Sequence, residues 1–308
     1  MRWGLSFICV VTGVCLTQIV TGEPSRVLGA QSCSTSGCHG GAGPNRGAYH
    51  TWRNYDPHFN AADTLSNDWS GRIAEKLGIA DARESAQCTS CHAPMRHVDP
   101  GVFASTVKRA DCDQGVTCAN CHGGSEQWLL SHTRPDYPKD ALARLGMRVL
   151  DTDYQRANSC VACHQNLSDE LLGTAHPPLV FELDGLLVAQ PKHWREKEGF
   201  SHARTWLVGQ AVALREAAAQ MERQPGGARQ AEVEAILALL GASGRGWSAE
   251  GEDLVAAADA FAKRVSSQPM KPQQERELLA RLIDDRGVFG ADAFEAVPDE
   301  FRGLAVGH

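Results

Sequence analysis

The sequence predicts a mainly α-helical protein in two parts, a loop-rich region with short helices followed by a C-terminal segment of longer helices. Residues 23–200 contain much Gly, Pro, Asp and Asn between short helical stretches, and a motif with two cysteines recurs four times within them. From about residue 201 the chain is rich in Ala, with apolar residues at helical intervals. We therefore expect a domain boundary near residue 200.

The composition limits the classes of function. The chain has 308 residues, 43% of them hydrophobic, which is enough apolar content for one or two domain cores. Its formal net charge is −7 and it has no basic stripe, so nucleic acid is not an expected partner. Aromatic residues make up 6% of the chain, so we expect something other than Phe and Tyr side chains to fill the interior.

The first 22 residues have the pattern of a secretory signal peptide. Arg2 precedes an apolar run that ends at Thr21 and Gly22, where cleavage is plausible. The run is about 18 residues long, the lower limit for a membrane span, so an uncleaved anchor with membrane association is the alternative. Either reading predicts a periplasmic or otherwise extracytoplasmic protein. Export would leave nine of the 11 cysteines in an oxidising compartment.

Eight of these cysteines form four motifs that each end in histidine. The motifs, numbered 1 to 4 here, are CSTSGCH (33–39), CTSCH (88–92), CANCH (118–122) and CVACH (160–164). C-x-x-C-H is the signature of covalent haem c attachment, in which both thiols bond to the haem and the histidine binds its iron. The pattern predicts four covalently bound haem c groups. Their predicted attachment residues are Cys33, Cys38, Cys88, Cys91, Cys118, Cys121, Cys160 and Cys163, and their predicted proximal iron ligands are His39, His92, His122 and His164.

Other uses of paired cysteines fit less well. A zinc ribbon uses C-x-x-C pairs but has no need of a histidine after every pair. A thioredoxin-like motif occurs once, beside a strand, rather than four times. Motif 1 has two extra residues between its cysteines, so Ser34–Gly37 must bulge outward if both thiols are to reach one haem. Cys112 stands outside the motifs and is expected to be a free thiol in a loop.

The stretches after motifs 1, 3 and 4 resemble the tetrahaem cytochrome c-554 family and its multihaem relatives. They read WRNYDPHFNA, CHGGSEQWLLSH and TAHPPLVFELDG, and the resemblance covers roughly residues 30–200. It implies that His58, His132 and His176 are distal iron ligands, with His50 as a further candidate. The family also has one haem without a strong distal ligand, which here would be the haem at His92.

The remaining histidines have less specific expectations. His193, His202 and His308 are expected at the surface or against haem propionates, and His97 lies close in sequence to motif 2. Met95 is an alternative axial ligand whose more ordinary role is packing.

Residues 201–308 predict four helices without a haem motif. Apolar residues recur at helical spacing in each of them. QPGG (224–227) separates the first helix from the second, and Pro272 is expected to be the first residue of the last helix. We expect this segment to shield the haem-containing domain at 23–200, and the alternative is a docking surface for a redox partner.

These patterns predict an exported electron-transfer relay between redox partner proteins, and they name no catalytic residue. The alternatives are a small multihaem oxidoreductase that acts on a nitrogen or sulfur species at one open axial position, or a subunit of an extracellular cytochrome filament. Against the enzyme, no motif carries Lys in place of its histidine. An electron carrier is therefore the preferred interpretation.

Overall fold

The chain is mainly helical, with 59% helix, and the residues that the structure describes form no β-strand. The computed structural model describes residues 25–43, 46–165, 167–177, 179–223, 228–249 and 253–283. Within these ranges one isolated parallel bridge joins Val27 to Phe103. The predicted signal segment at 1–22 and His308 lie outside the described residues. The predicted fold class, a loop-rich protein with short helices, is confirmed.

The described ranges contain thirteen α-helices. They are α1 (Ala48–Tyr55), α2 (Asp68–Lys76), α3 (Ala86–His92), α4 (Arg109–Cys112), α5 (Cys118–His122), α6 (Lys139–Arg144), α7 (Asp153–His164), α8 (Asp169–Leu172), α9 (Leu183–Ala189), α10 (His202–Arg223), α11 (Ala228–Ala242), α12 (Leu254–Ser267) and α13 (Pro272–Ile283). Short 3-10 helices cover Ala30–Cys33, Pro57–Ser66, Pro94–His97, Pro100–Val102 and Ser131–Thr133.

Local side-chain caps explain where several of these short helices begin. The Asn67 side chain accepts a hydrogen bond of 2.8 Å from the Ser70 backbone N–H and so caps α2. The Thr152 hydroxyl and the Gln155 side chain bond reciprocally to each other's backbone N–H and form a capping box at the start of α7. Gly78, with φ of +68°, ends the turn after α2, in the left-handed conformation that favours glycine at a helix C-terminus.

The main hydrophobic core is built around α10, which packs against α7, α9, α11 and α12. Leu207, Leu214 and Leu240 are fully buried there. Gly209 lies at the crossing with α9, where a Cβ atom would stand 2.7 Å from the Leu183 side chain. This core also contains Ala157 and Val161 of α7, so it includes residues from both sides of the boundary predicted near residue 200.

Polar contacts reinforce the packing of α7 against the C-terminal helices. The Arg215 guanidinium on α10 donates to Asn158 and to Asp259, both at 2.7 Å, and the Tyr154 hydroxyl donates to the same Asp259 carboxylate at 2.7 Å. At the other end of α7, the buried Gln165 amide donates to the Glu232 carboxylate at 2.8 Å. Helix α7 is therefore held by side chains from α10, α11 and α12.

The region that carries the motifs has a much thinner protein core. Its described hydrophobic clusters are small: one is centred on Leu65 and Cys88, and another on Ile73 and Leu171. This agrees with the expectation that a bulky apolar group completes the interior of this half. Among the described helices, none combines the length and apolar content needed to cross a bilayer.

Candidate haem-binding sites

Motifs 2, 3 and 4 have the same local structure, because the histidine of each motif is the last residue of a helix. Helices α3, α5 and α7 end at His92, His122 and His164. One helical turn places both cysteines of C-x-x-C on the same side of the helix. The histidine that ends the helix lies close to both cysteines. This proximity is needed if both thiols and the imidazole are to bind one planar group.

Motif 1 reaches a comparable arrangement without an α-helix. The His39 backbone N–H donates to the Cys33 carbonyl at 3.0 Å, which closes the longer arch between the two cysteines. Within the arch, the Cys38 N–H donates to the Thr35 carbonyl at 2.9 Å. Gly40 packs so closely on this arch that a Cβ atom would overlap the Ser34 carbonyl oxygen. The chain thus accommodates the two extra residues by turning back on itself, and the close approach of its backbone to Ser34 leaves room only for glycine at position 40.

Each motif histidine faces one other histidine. The ring centroids are separated by 6.1 Å for His39–His132, 6.4 Å for His92–His176, 6.4 Å for His122–His193 and 5.9 Å for His58–His164. The ring planes are inclined by 21° in the His39–His132 pair and by 70–81° in the other three pairs.

These separations fit an iron ion bound between the two rings of each pair. A metal–nitrogen bond of about 2 Å on each side, with roughly 1 Å more from each nitrogen to its ring centre, places the centroids about 6 Å apart. In direct contact, stacked rings would generally lie closer than this. Two thiols to bond to the haem and two imidazoles to bind its iron are the residues that would hold a haem c with two histidine ligands at each motif.

The orientation of several rings fits the same role. In a metal-bound histidine the second ring nitrogen usually donates to an oxygen, which leaves the first free for the metal. Nδ1 of His58 bonds to the Asp56 carboxylate at 2.8 Å, Nδ1 of His92 to the Ala61 carbonyl at 3.0 Å, and Nδ1 of His176 to the Pro177 carbonyl at 2.8 Å. A longer contact of 3.3 Å joins Nδ1 of His132 to the Trp128 carbonyl. All four leave Nε2 available.

A tryptophan supports the position of each partner histidine. Trp128 packs edge-on against His132, with centroids 5.2 Å apart, and Trp194 packs against His193 at 5.3 Å. The Trp69 indole donates to the carbonyl of the residue before His176 at 2.9 Å. Trp52 is buried against Phe59, the residue after His58. These contacts restrict the side chains before any metal binds.

Burial keeps the paired imidazoles in the form that binds metal. Desolvation, together with the nearby His193, His39 and His132, lowers the pKa of His122 to about 4. Burial likewise lowers the pKa of His92, His164 and His193. At neutral pH these rings are uncharged, and a neutral imidazole has the lone pair that a metal ion requires.

Contacts between cysteines connect the motifs in a definite order. A hydrogen bond between Cys91 and Cys163 joins motif 2 to motif 4; it lowers the pKa of Cys91 to about 6 and raises that of Cys163. The charge of Cys121 of motif 3 contributes to the raised pKa of both Cys160 and Cys163 of motif 4, so these thiols lie near one another. A hydrogen bond between Cys118 and Cys33 joins motif 3 to motif 1. The sequence of contacts is therefore 2–4–3–1.

The candidate distal histidines fall into two groups. The structure brings His58, His132 and His176 to a motif histidine, whereas His50 lies at an exposed position where its Nε2 contacts the Gly40 carbonyl at 2.9 Å. The resemblance implied an open position at His92, but the ring of His176 faces it.

Sequence reasoning missed His193, which was expected at the surface and instead faces His122. The only local signal is the neighbouring Trp194, whose ring packs on the histidine, as Trp128 does on His132.

The other residues singled out from the sequence have separate surroundings. Met95 is buried in the protein, and Nε2 of His97 bonds to the Thr89 hydroxyl at 2.6 Å. His202 forms an ion pair with Asp184 at 2.8 Å. The Cys112 thiol lies 3.9 Å from the Lys108 carbonyl at the end of α4.

The alternative uses of the cysteines find no support in the geometry. No disulfide joins any of the eight motif cysteines. In the described ranges, no group of three or more His, Cys, Asp and Glu side chains is arranged to hold a metal ion. The histidines come together in pairs, and the motif thiols lie beside them.

Comparison with known proteins gives one match. No curated protein and no solved structure is significantly similar to the chain. Residues 30–123, which include motifs 1 to 3, match the family described as cytochrome c554 and c-prime. A protein of this kind binds haem c covalently and acts in electron transfer. The match and the repeated haem-attachment motifs support a c-type cytochrome, and residues 30–123, about a third of the chain, are similar to the cytochrome c554 and c-prime family.

Proposed function

We propose that this protein is an exported tetrahaem cytochrome that relays electrons between two redox partner proteins. Four haem c groups would be attached through the eight motif cysteines, with the four motif histidines as proximal ligands. His132, His176, His193 and His58 would be the distal ligands for motifs 1, 2, 3 and 4. The observation that carries this proposal is the presence of four histidine pairs, one for each motif.

Two histidine ligands favour electron transfer over substrate chemistry. When bound, a bis-histidine haem supplies a low-spin iron centre that exchanges one electron and offers no open coordination position. The protein's part is to hold both imidazoles in place before and after the exchange. The tryptophan contacts and the Nδ1 hydrogen bonds serve this purpose, because a ring that cannot turn needs little rearrangement when the charge changes.

The contact order 2–4–3–1 supports a linear relay. Motifs 2 and 1 are at the two ends, and motifs 4 and 3 are in the middle, where their cysteines lie next to cysteines of the adjacent motifs. An electron acceptor and donor would then dock near opposite ends, close to His176 and His132 respectively or in the reverse sense. Helix α7 carries motif 4, and α10 and α12 cover one of its faces, so that face is closed to a docking partner.

The enzyme alternative would need one motif without a facing histidine. Motif 2 was the expected place for an open position, and the 6.4 Å separation of His92 and His176 argues against it. The relay is therefore the function that the geometry supports best.

Haem content and spin state test this proposal together. We expect the intact purified protein to carry four haem masses that survive denaturation, and its ferric spectrum to be entirely low-spin. A mass with three haems or fewer would contradict the tetrahaem proposal. A high-spin fraction that binds nitric oxide or hydroxylamine would contradict the relay and support the enzyme.

Export is a separate part of the proposal. It is supported by the signal-like pattern at 1–22 and by the attachment of haem c outside the cytoplasm. N-terminal sequencing of the mature protein from the periplasmic fraction should begin near residue 23. An intact N-terminus in the membrane fraction would instead indicate an uncleaved anchor.

A further inference from the structure

One of the four histidine pairs has a buried carboxylate as its hydrogen-bond partner. The Asp56 side chain is 2% exposed, and its Oδ1 accepts hydrogen bonds from both the backbone N–H and Nδ1 of His58, at 3.0 Å and 2.8 Å. Its second oxygen, Oδ2, accepts from the Gln190 amide at 3.0 Å. No Lys or Arg side chain is among these contacts, so no cationic side chain there offsets the charge of the carboxylate beside the ring.

Two of the other three pairs have neutral partners at the corresponding place. This is seen at motifs 1 and 2: Nδ1 of His132 and of His176 contacts a backbone carbonyl, and Nδ1 of His92 contacts a carbonyl and the Thr64 hydroxyl at 2.9 Å. A carboxylate draws the Nδ1 proton more strongly than a carbonyl does and increases the electron density on the ring. His58 is therefore a stronger electron donor to a metal than His132 or His176.

We propose that Asp56 is a positioning residue that, through His58, stabilises the oxidised state of the two interior sites of the relay relative to the two outer sites. This inference rests on the proposed tetrahaem function. Two physical effects act in the same direction. The strengthened donation from His58 favours ferric over ferrous iron at motif 4, and a buried negative charge favours the state with one more positive charge.

The Asp56 charge also stabilises the oxidised state at motif 3, but to a smaller extent. The Asp56 charge acts on both His193 and Cys121, which belong to the motif 3 site. Neither motif 1 nor motif 2 has a comparable contact with Asp56 among those described. Electrons in the partly reduced protein would then reside mainly on the outer sites, near the surfaces where partners dock, and pass quickly through the interior.

The test uses the full-length holoprotein with Asp56→Asn. Asparagine keeps the shape of the side chain, and its oxygen can still accept from His58 while the Gln190 amide rotates to accept from its nitrogen. We expect all four sites to remain low-spin. We expect one of the four reduction potentials to rise by at least about 59 mV, which corresponds to a tenfold change in the one-electron equilibrium constant. A second potential should rise by less, and two should not move.

The shifted potential must belong to motif 4. The low-spin EPR signal lost in His58→Ala identifies that site, and the same signal should change its g-values in Asp56→Asn. A shift that is largest at any other site would overturn the inference.

Two changes at Gln190 separate charge from packing. Gln190→Leu removes a hydrogen bond from the same place but keeps the carboxylate charge, so no potential should rise. Gln190→Lys puts a compensating positive charge next to Asp56 and should raise the motif 4 potential, which gives a second route if Asp56→Asn does not fold. Asp140→Asn, which removes a carboxylate that is 70% exposed, controls for a surface charge and should leave all four potentials unchanged.

Two results would overturn the inference and leave the relay standing. One is a protein with four low-spin haems whose potentials are the same with and without the Asp56 charge. The other is Gln190→Leu raising the motif 4 potential as much as Asp56→Asn does, which would assign the effect to loosened packing. Loss of the tetrahaem function itself would be evident in the unmodified protein, as a haem content below four.

Discussion

The rings of His122 and His193 lie with their centroids 6.4 Å apart and their planes inclined by 75°, although the two residues are far apart in the chain. Helix α5 ends at His122, and His193 follows α9 in a segment without regular structure. Trp194 packs against the His193 ring and holds it towards motif 3. This pair completes a set in which every motif histidine has a partner.

Replacement of His193 tests its role as a ligand. We expect His193→Ala to convert one of the four low-spin haems to high-spin, because the iron at motif 3 would lose its distal imidazole. The optical charge-transfer band and the EPR signal of ferric high-spin iron would measure this. His50→Ala is the matched control, since His50 faces no motif histidine, and it should leave the spectrum unchanged. An unchanged His193→Ala spectrum would contradict the assignment.

The ring orientations predict the pattern of EPR signals. Nearly perpendicular imidazole planes make the two π-type iron orbitals almost equal in energy, whereas nearly parallel planes split them. We therefore expect three low-spin signals with large anisotropy, from the pairs inclined by 70–81°, and one ordinary rhombic signal, from the His39–His132 pair inclined by 21°. The rhombic signal should disappear in His132→Ala. Four rhombic signals would contradict the observed orientations.

The long arch of motif 1 should still carry a covalent haem. Trypsin would release residues 27–46 as one peptide, and we expect its mass to include one haem bound through both Cys33 and Cys38. In Cys38→Ser the haem should remain on this peptide through a single thioether, because the arch is closed by the backbone bond from His39 to Cys33 rather than by the second sulfur. An unmodified peptide from the unaltered protein would show that motif 1 binds no haem c.

The contacts of Asp259 predict that part of the stability depends on pH. Burial alone would raise its pKa, but hydrogen bonds with Lys263, Tyr154 and Arg215 outweigh this and lower the pKa to about 2. An unfolded Asp titrates at about 3.9, so the folded state gains stability above pH 4 and loses it as the pH falls towards 2. For this partly exposed group the gain is about 1–2 kcal/mol.

Asp259→Asn should therefore lower the free energy of unfolding by that amount at pH 7 and by little at pH 2. Denaturant unfolding of the holoprotein, followed by circular dichroism, measures both values. Asp136→Asn removes a fully exposed carboxylate and serves as the control, with no expected change in stability. An equal loss at both pH values for Asp259→Asn would show that the charge is not the cause.

The shared core of α7 and α10 predicts one cooperative unfolding step. Leu214 is fully buried in this core, and replacement of such a leucine by alanine costs about 2–5 kcal/mol. Because α7 carries motif 4, Leu214→Ala should shift the haem absorbance transition and the helix transition to the same lower temperature. Leu130→Ala, at a position that is 80% exposed, should leave both transitions unchanged. Separate transitions would mean that the C-terminal helices unfold as an independent unit.

Different physical signals explain what could be predicted from the sequence. The cysteine motifs encode covalent chemistry in a few consecutive residues, so the haem class and the helical fold follow from local patterns. His58, His132 and His176 could be named as candidates because each follows a motif in a recognisable stretch, and each faces a motif histidine in the fold. His193 has no such stretch, and its place depends on how α9 and the following loop pack against motif 3.

The order of the sites had no local signal either. It depends on contacts such as Cys91 with Cys163 and Cys118 with Cys33, which join residues far apart in sequence. The buried carboxylate of Asp56 belongs to the same class, because its contact with Gln190 exists only in the folded chain.

Helix α7 has a consequence for how the protein is made. Burial raises the pKa of the Cys160 thiol to about 12, and α10 and α12 cover the neighbouring face of α7. An attachment enzyme would need a reachable, reactive thiol, and Cys160 is already half-buried in the folded chain, which favours attachment at motif 4 before α10 and α12 pack on α7. Maturation would therefore proceed in a set order, with haem attached at motif 4 first and α10 and α12 packing on α7 afterwards.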